Sequence, residues 1–307
     1  MAAFQAPAGV WPAMITPLKS DKSINWSGVD ALTDWFIECG VAGLFAVGQS
    51  GEMFRLSNDE RVELAQHVVK RAAGRVPVVA TGTFGGPISE QAEFVKRMAD
   101  TGVQAVTVIA SEMADASEDE AIWRQRVEQL LEQTGDINLA LYECPEPYHR
   151  LIPPESAGWA AKTGRFFLLK ETSRSMEAVQ AKISATEGTP LRVFNADTTG
   201  LLETLRCGGY GYCGIAANFY ADLLVWLCNH YADAPEKAET LQGFFASVDG
   251  PLHFKYPVCA KYYRQHEGMN MLTLSRTSDA ELTAYDRRVL HGIAVMADQQ
   301  RQQISST

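Results

Sequence analysis

Lys170 closes the apolar run Phe166-Phe167-Leu168-Leu169. A lysine at the end of a buried strand is costly unless it pairs, extends its amine to water or loses its charge. In the last case the neutral amine becomes a nucleophile for a ketone. A structural, ion-paired lysine explains the residue equally well in isolation, so the neighbouring residues carry the decision. Tyr142 ends the preceding apolar run, where its hydroxyl can pass protons beside Lys170. Alone it reads as readily as a core residue.

The loop Gly48-Gln49-Ser50-Gly51-Glu52 follows another apolar run. Its small residues, backbone N–H groups and Ser50 hydroxyl suit a carboxylate. As a bare element it is a tight turn feeding a helix. Glu52 is expected to fix the loop backbone and not to act on a substrate.

These groups need strands that end at one rim. Apolar runs occur at 9–15, 43–47, 76–81, 105–110, 138–142, 166–170, 192–196 and 211–215. Runs such as PVVAT and FFLLK are apolar at successive positions, which fits parallel strands covered on both faces. Helical patterns separate them, with capping boxes expected at Ser57/Glu60 and Ser117/Glu120. Eight strands and seven intervening helices predict a (β/α)₈ TIM barrel of the α/β class, whose site lies at the C-terminal strand ends.

After residue 218 helices are expected at 220–230, 236–247, 257–266 and 279–300, the last with a box at Ser278/Glu281. The chain thus divides into a barrel over 1–230, carrying the catalytic site, and a C-terminal helical extension over 231–307 packed on it.

The 27 Lys+Arg against 37 Asp+Glu give a net charge of −10, which argues against nucleic acid or an anionic membrane as partner. The start, MAAFQAPAGV, lacks a basic segment before an apolar run, and no stretch approaches the roughly 20 apolar residues of a membrane helix. A cytoplasmic protein is expected. The six cysteines form no C-x-x-C pair and the six histidines no H-x-H or H-E-x-x-H, so no metal site is expected and the thiols read as reduced and mostly buried.

Together these residues resemble the dihydrodipicolinate synthase and N-acetylneuraminate lyase family of class I aldolases, over most of the chain. GQSGE at 48–52 is similar to the family's G-T-T-G-E-like or G-S-T-G-E-like loop, YECP at 142–145 to its Y-N-x-P, and KETS at 170–173 to its K-D-S or K-E-x-S. Ile15-Thr16-Pro17, Gly82-Thr83 and Gly208-Gly209-Tyr210-Gly211 leading to Ala217-Asn218 support the match. The resemblance implies Lys170 as the Schiff-base lysine and Tyr142 as the proton-transfer residue. It places a small 2-oxo acid such as pyruvate against Gln49, Ser50, Gly51, Gly214 and Ile215. It also implies a homo-oligomer, dimer or tetramer, and no metal or organic cofactor.

Three departures bear on the second substrate. Pro147 stands where the lysine-biosynthesis branch has a substrate-gripping arginine, Ser111-Glu112-Met113 where a Tyr-Tyr pair completes a proton relay, and Gln49 where that relay begins with threonine. A partner other than that of dihydrodipicolinate synthesis is therefore expected, with Glu112, Pro147, Tyr148 and Asn195 as candidate lining residues. The alternatives are a Schiff-base dehydratase of a sugar acid or hydroxy-2-oxo acid, a non-catalytic 2-oxo acid-binding paralogue, and a phosphate-binding barrel using Gly208, Gly209 and Gly211.

Overall fold

Strands apolar at every position need cover on both faces, which a parallel barrel filled inside and wrapped by helices supplies. The computed structural model, which describes residues 4–305, has this arrangement. Among these residues eight strands occur: β1 (Gly9–Val10), β2 (Leu44–Val47), β3 (Val78–Thr81), β4 (Ala105–Ile109), β5 (Leu139–Tyr142), β6 (Phe166–Glu171), β7 (Arg192–Asn195) and β8 (Gly211–Tyr212). They pair in parallel in the order β1-β8-β7-β6-β5-β4-β3-β2. The ring closes just past β1, where Phe45 of β2 donates its N–H to Pro12 O and accepts from Met14 N–H, both at 3.0 Å.

The intervening helices are α1 (Trp26–Glu38), α2 (Asn58–Ala72), α3 (Ile88–Ala99), α4 (Glu120–Thr134), α5 (Pro154–Lys162), α6 (Met176–Thr186) and α7 (Leu201–Arg206). After β8 come α8 (Ala217–His230), α9 (Pro235–Leu252), α10 (Val258–His266) and α11 (Ala284–Ser305). Helices α9 and α11 pack on each other and on α8, and one hydrophobic cluster runs from the strands to Ala297 of α11. Among the described residues no helix is long and apolar enough to cross a membrane.

Strand ends differ from the sequence reading for backbone reasons. β1 stops at Val10 because Pro12 has no N–H to continue a ladder, and β3 starts after Pro77 for the same reason. β8 ends at Tyr212, and Cys213–Ile215 instead turn into α8, where Asn218 N–H bonds Ile215 O. Gly211 lies at φ +140° with its missing Cβ only 1.9 Å from Gly9 O, so no other residue lets β1 and β8 approach this closely.

The Ser57/Glu60 box is present, with bonds of 3.2 and 2.9 Å. The other two are corrected. Asp119, whose carboxylate accepts from Ala121 and Ile122 N–H at 3.0 and 3.1 Å, caps α4 in place of Ser117. α11 begins at Ala284 and not at 279, because Thr283 and Asp286 make the reciprocal pair: Thr283 N–H to Asp286 Oδ2 at 2.8 Å, Asp286 N–H to Thr283 Oγ1 at 3.1 Å.

Candidate active site

Side chains alternate across a strand, so at the ends of β5 and β6 Tyr142 and Lys170 turn inward while Glu143 and Glu171 turn outward. Tyr142 and Lys170 are register partners, and Lys170 Nζ lies 4.3 Å from the Tyr142 ring centroid and 5.3 Å from that of Phe45. Among the described residues three lysines are buried: Lys170, Lys182 and Lys261. Lys182 pairs with Glu143 at 2.6 Å and Glu171 at 2.8 Å, and Lys261 with Glu52 at 2.7 Å. Lys170 has no carboxylate partner among the described residues. Burial therefore pulls its amine below the ordinary lysine range. Burial also pushes the nearby Cys144 and Cys213 thiols up to about 11, which keeps them neutral at pH 7.

The loop after β2 forms the opposite wall. Gln49 Oε1 accepts from the Tyr142 hydroxyl at 3.4 Å. Ser50 faces the hydroxyl of Tyr256, which also accepts from Asn218 Nδ2 at 3.1 Å. Burial raises both tyrosine hydroxyls well above their usual range, so each stays protonated. Gly51 lies outside the cavity lining; a Cβ there would come within 3.0 Å of Met14 O and Thr16 Oγ1, and its carbonyl accepts from Thr16 Oγ1 at 2.8 Å.

Glu52 holds a left-handed backbone at φ +62°. Its carboxylate accepts from Lys261 Nζ and Ser275 Oγ, both at 2.7 Å, and from the N–H groups of Arg276 and Thr277 at 2.5 and 3.0 Å. Burial alone would raise this carboxyl, but Lys261 and the hydrogen bonds outweigh it and hold the group below its usual range. The loop carrying Gln49 and Ser50 is thus clamped to the segment between α10 and α11.

Behind the reacting strands lies the outward network. Glu143 accepts from Ile152 N–H at 2.8 Å and Thr172 N–H at 2.9 Å, and Glu171 from Ser173 N–H at 3.0 Å, while Lys182 bridges both carboxylates. Burial and the second acid push Glu143 upward against the pull of Lys182.

A cavity of about 890 Å³ opens at the C-terminal rim and is lined by Gln49, Ser50, Tyr142, Lys170, Gly214 and Ile215 of the expected set. Of the four candidate lining residues, Pro147 is there. Asn195 spends its side chain on Thr204 and the Asp197 N–H, Tyr148 donates to Ala114 O, and Glu112 lies against Gly85. The sequence reading missed Tyr256, His253, Arg174 and Arg55, all of which face the cavity. His149 is also there, its Nε2 2.8 Å from Thr172 Oγ1. Since the Thr172 hydroxyl donates to Glu143 O at 2.7 Å, it accepts from His149, which fixes the proton on Nε2. Among the described residues no group of three or more His, Cys, Asp or Glu side chains could hold a metal ion.

The model of the Dihydrodipicolinate synthetase family matches residues 6–284. The 4-hydroxy-tetrahydrodipicolinate synthase of Cellvibrio japonicus is 25% identical over 235 residues, 76% of this chain and 79% of that one. The same-named enzyme of Bacillus velezensis is 27% identical over 221 residues, 72% and 75% of the two chains. Among solved structures, a dihydrodipicolinate synthase from Bacillus anthracis superposes with a TM-score of 0.87 at 20% identity, covering 95% of this chain and 99% of that one. The Acinetobacter baumannii enzyme, solved with pyruvate, gives 0.85 at 22% identity over 95% and 99%.

Proposed function

The chain belongs to the dihydrodipicolinate synthetase family and is a lyase of it, and from that premise we propose that Lys170 forms a Schiff base with pyruvate or another small 2-oxo acid. The observation that carries this reading is the contrast among the three buried lysines: only Lys170 lacks a carboxylate and opens into the cavity.

The neutral amine adds to the C2 ketone, and the carbinolamine loses water to give an iminium. Ser50 and the backbone of its loop hold the C1 carboxylate, with Gly214 and Ile215 across from it. Tyr142, kept protonated by burial, passes the proton that leaves with water. When the C3–C4 bond of a 4-hydroxy acid breaks, its electron pair flows to the iminium nitrogen and forms an enamine. The C4 hydroxyl loses its proton as the aldehyde departs. Protonation at C3 and hydrolysis return the amine and release the acid; the reverse sequence condenses the two.

Pro147 at the cavity wall, with no guanidinium, supports a second substrate other than aspartate semialdehyde. A homo-oligomer and a cytoplasmic setting belong to the same reading.

Borohydride reduction in the presence of pyruvate tests it. One reduced three-carbon adduct is expected on the peptide containing Lys170, and none in Lys170→Ala or Lys170→Arg, since arginine stays protonated. An adduct persisting in either variant removes Lys170 from the mechanism.

A further inference from the structure

Strands β2 and β6 stand opposite each other in an eight-strand ring, so the loops that follow them face one another across the mouth. Each loop presents an arginine to the cavity: Arg55 after β2 and Arg174 after β6. We propose that this pair forms a subsite for a second anionic group, a carboxylate or a phosphate, at the far end of the substrate whose ketone reacts with Lys170. The proposal rests on the Schiff-base reading and adds the chemical class of the partner.

Arg174 holds φ +57°, a left-handed backbone that favours glycine. In this conformation its side chain lines the rim of the cavity. Its guanidinium is only loosely held, 3.2 Å from His253 Nε2 and 4.0 Å from Asp249 Oδ2, with its side chain 61% exposed. Most of its five donors remain available. Arg55 is exposed, and its guanidinium makes no hydrogen bond or ion pair among the described residues.

Most of the acids around them bond to groups other than this pair. Asp197 is taken up by Thr199, whose N–H and hydroxyl it accepts at 3.1 and 2.7 Å, and Asp249 accepts from Thr198 Oγ1 at 2.8 Å. Glu52 is neutralised by Lys261, which leaves Glu146 as the acid at the rim without such a tie. In a chain of net charge −10, two guanidinium groups, one loosely tied and one without a partner among the described residues, face the same cavity from opposite sides. A substrate fixed at Lys170, at the C-terminal end of β6, extends outward between them.

The test measures kcat/KM for condensation of pyruvate with two matched pairs of aldehydes: succinic semialdehyde against butanal, and D-glyceraldehyde 3-phosphate against D-glyceraldehyde. The charged member of at least one pair is expected to win by roughly 10-fold or more, the scale of one charge-assisted contact. Which pair shows the preference tells carboxylate from phosphate. Arg174→Met and Arg55→Met should each shrink that ratio, Arg174→Lys should keep part of it, and Arg97→Met, at an α3 residue paired with Asp59 of α2, should leave it unchanged. A ratio near one for both pairs in the unmutated enzyme, or a ratio that survives both Met variants, overturns the subsite. Borohydride trapping of pyruvate separates the two failures: an enzyme that traps pyruvate but shows no charge preference loses only the subsite, whereas one that traps nothing loses the Schiff base as well.

Discussion

Lys170 Nζ sits over the face of Tyr142, its register partner, at 4.3 Å from the ring centroid. A ring face favours a cation, yet burial works the other way and wins, so the amine leans toward its neutral form. The tyrosine hydroxyl points on toward Gln49, so in the proposed roles the ring of the proton carrier lies directly against the nucleophile.

The first expectation concerns pH. Trapping of pyruvate by cyanoborohydride should rise with pH as Lys170 deprotonates and level off below the ordinary lysine value of 10.5. The linkage has a definite sign: between the lowered folded value and 10.5 the unfolded chain holds the extra proton, so this group's contribution to stability grows as pH rises through that window. An inflection at 10.5 or higher would show an unperturbed amine.

Tyr142→Phe keeps the ring under Lys170 and deletes the hydroxyl. Turnover should fall by roughly 10²–10⁴-fold, the range for a lost proton-transfer group. The melting temperature should hardly move, because the hydroxyl's bond to Gln49 is long at 3.4 Å. Near-normal turnover in this variant would assign the proton to another group.

Lys182→Met leaves Glu143 and Glu171 buried together without their cation. Removing one partner of a buried ion pair costs about 3–5 kcal/mol, and adding Glu143→Gln should restore part of it by removing the orphaned charge. Denaturant titration of the single and double variants reads this out. Additive losses would mean that the two side chains do not act as a unit.

Strand ends and helix starts were legible where a local rule operates alone. Ser57 with Glu60 is such a case, and Lys170 and Tyr142 stand out because each is a polar residue closing an apolar run. Ser117 and Ser278 lost to Asp119 and Thr283, which cap α4 and α11 two and five residues further along, where the first turns begin. Tyr256 and His253 escaped because they reach the cavity from the turn between α9 and α10, over contacts that no local spacing encodes. Arg174 was hidden for another reason: a positive φ on an arginine leaves no mark in its neighbours. Asn195 was a fair candidate by position, but its amide serves the turn after β7.

Aspartate semialdehyde should be a poor partner for the pyruvate-loaded enzyme. Pro147 offers it no guanidinium, and its ammonium would stand before Arg55 and Arg174. The sequence Ser111-Glu112-Met113 also supplies no tyrosine to the proton path. Steady-state assays should give kcat/KM below the roughly 10⁴–10⁸ M⁻¹s⁻¹ typical of physiological substrates; a value inside that range restores dihydrodipicolinate synthesis as the reaction.

Glu52 joins the wall of the cavity to α10 through Lys261 and to the stretch between α10 and α11 through Ser275, Arg276 and Thr277. Any ligand that requires the clamped form of the Gln49–Ser50 loop is therefore also a ligand for the docked tail, and the coupling is reciprocal. Protease nicking between α10 and α11 should slow as such a ligand saturates, with a midpoint that reports its affinity. An unknown substrate can then be sought by its protection of a peptide bond outside the barrel, in a screen that needs no assay of turnover.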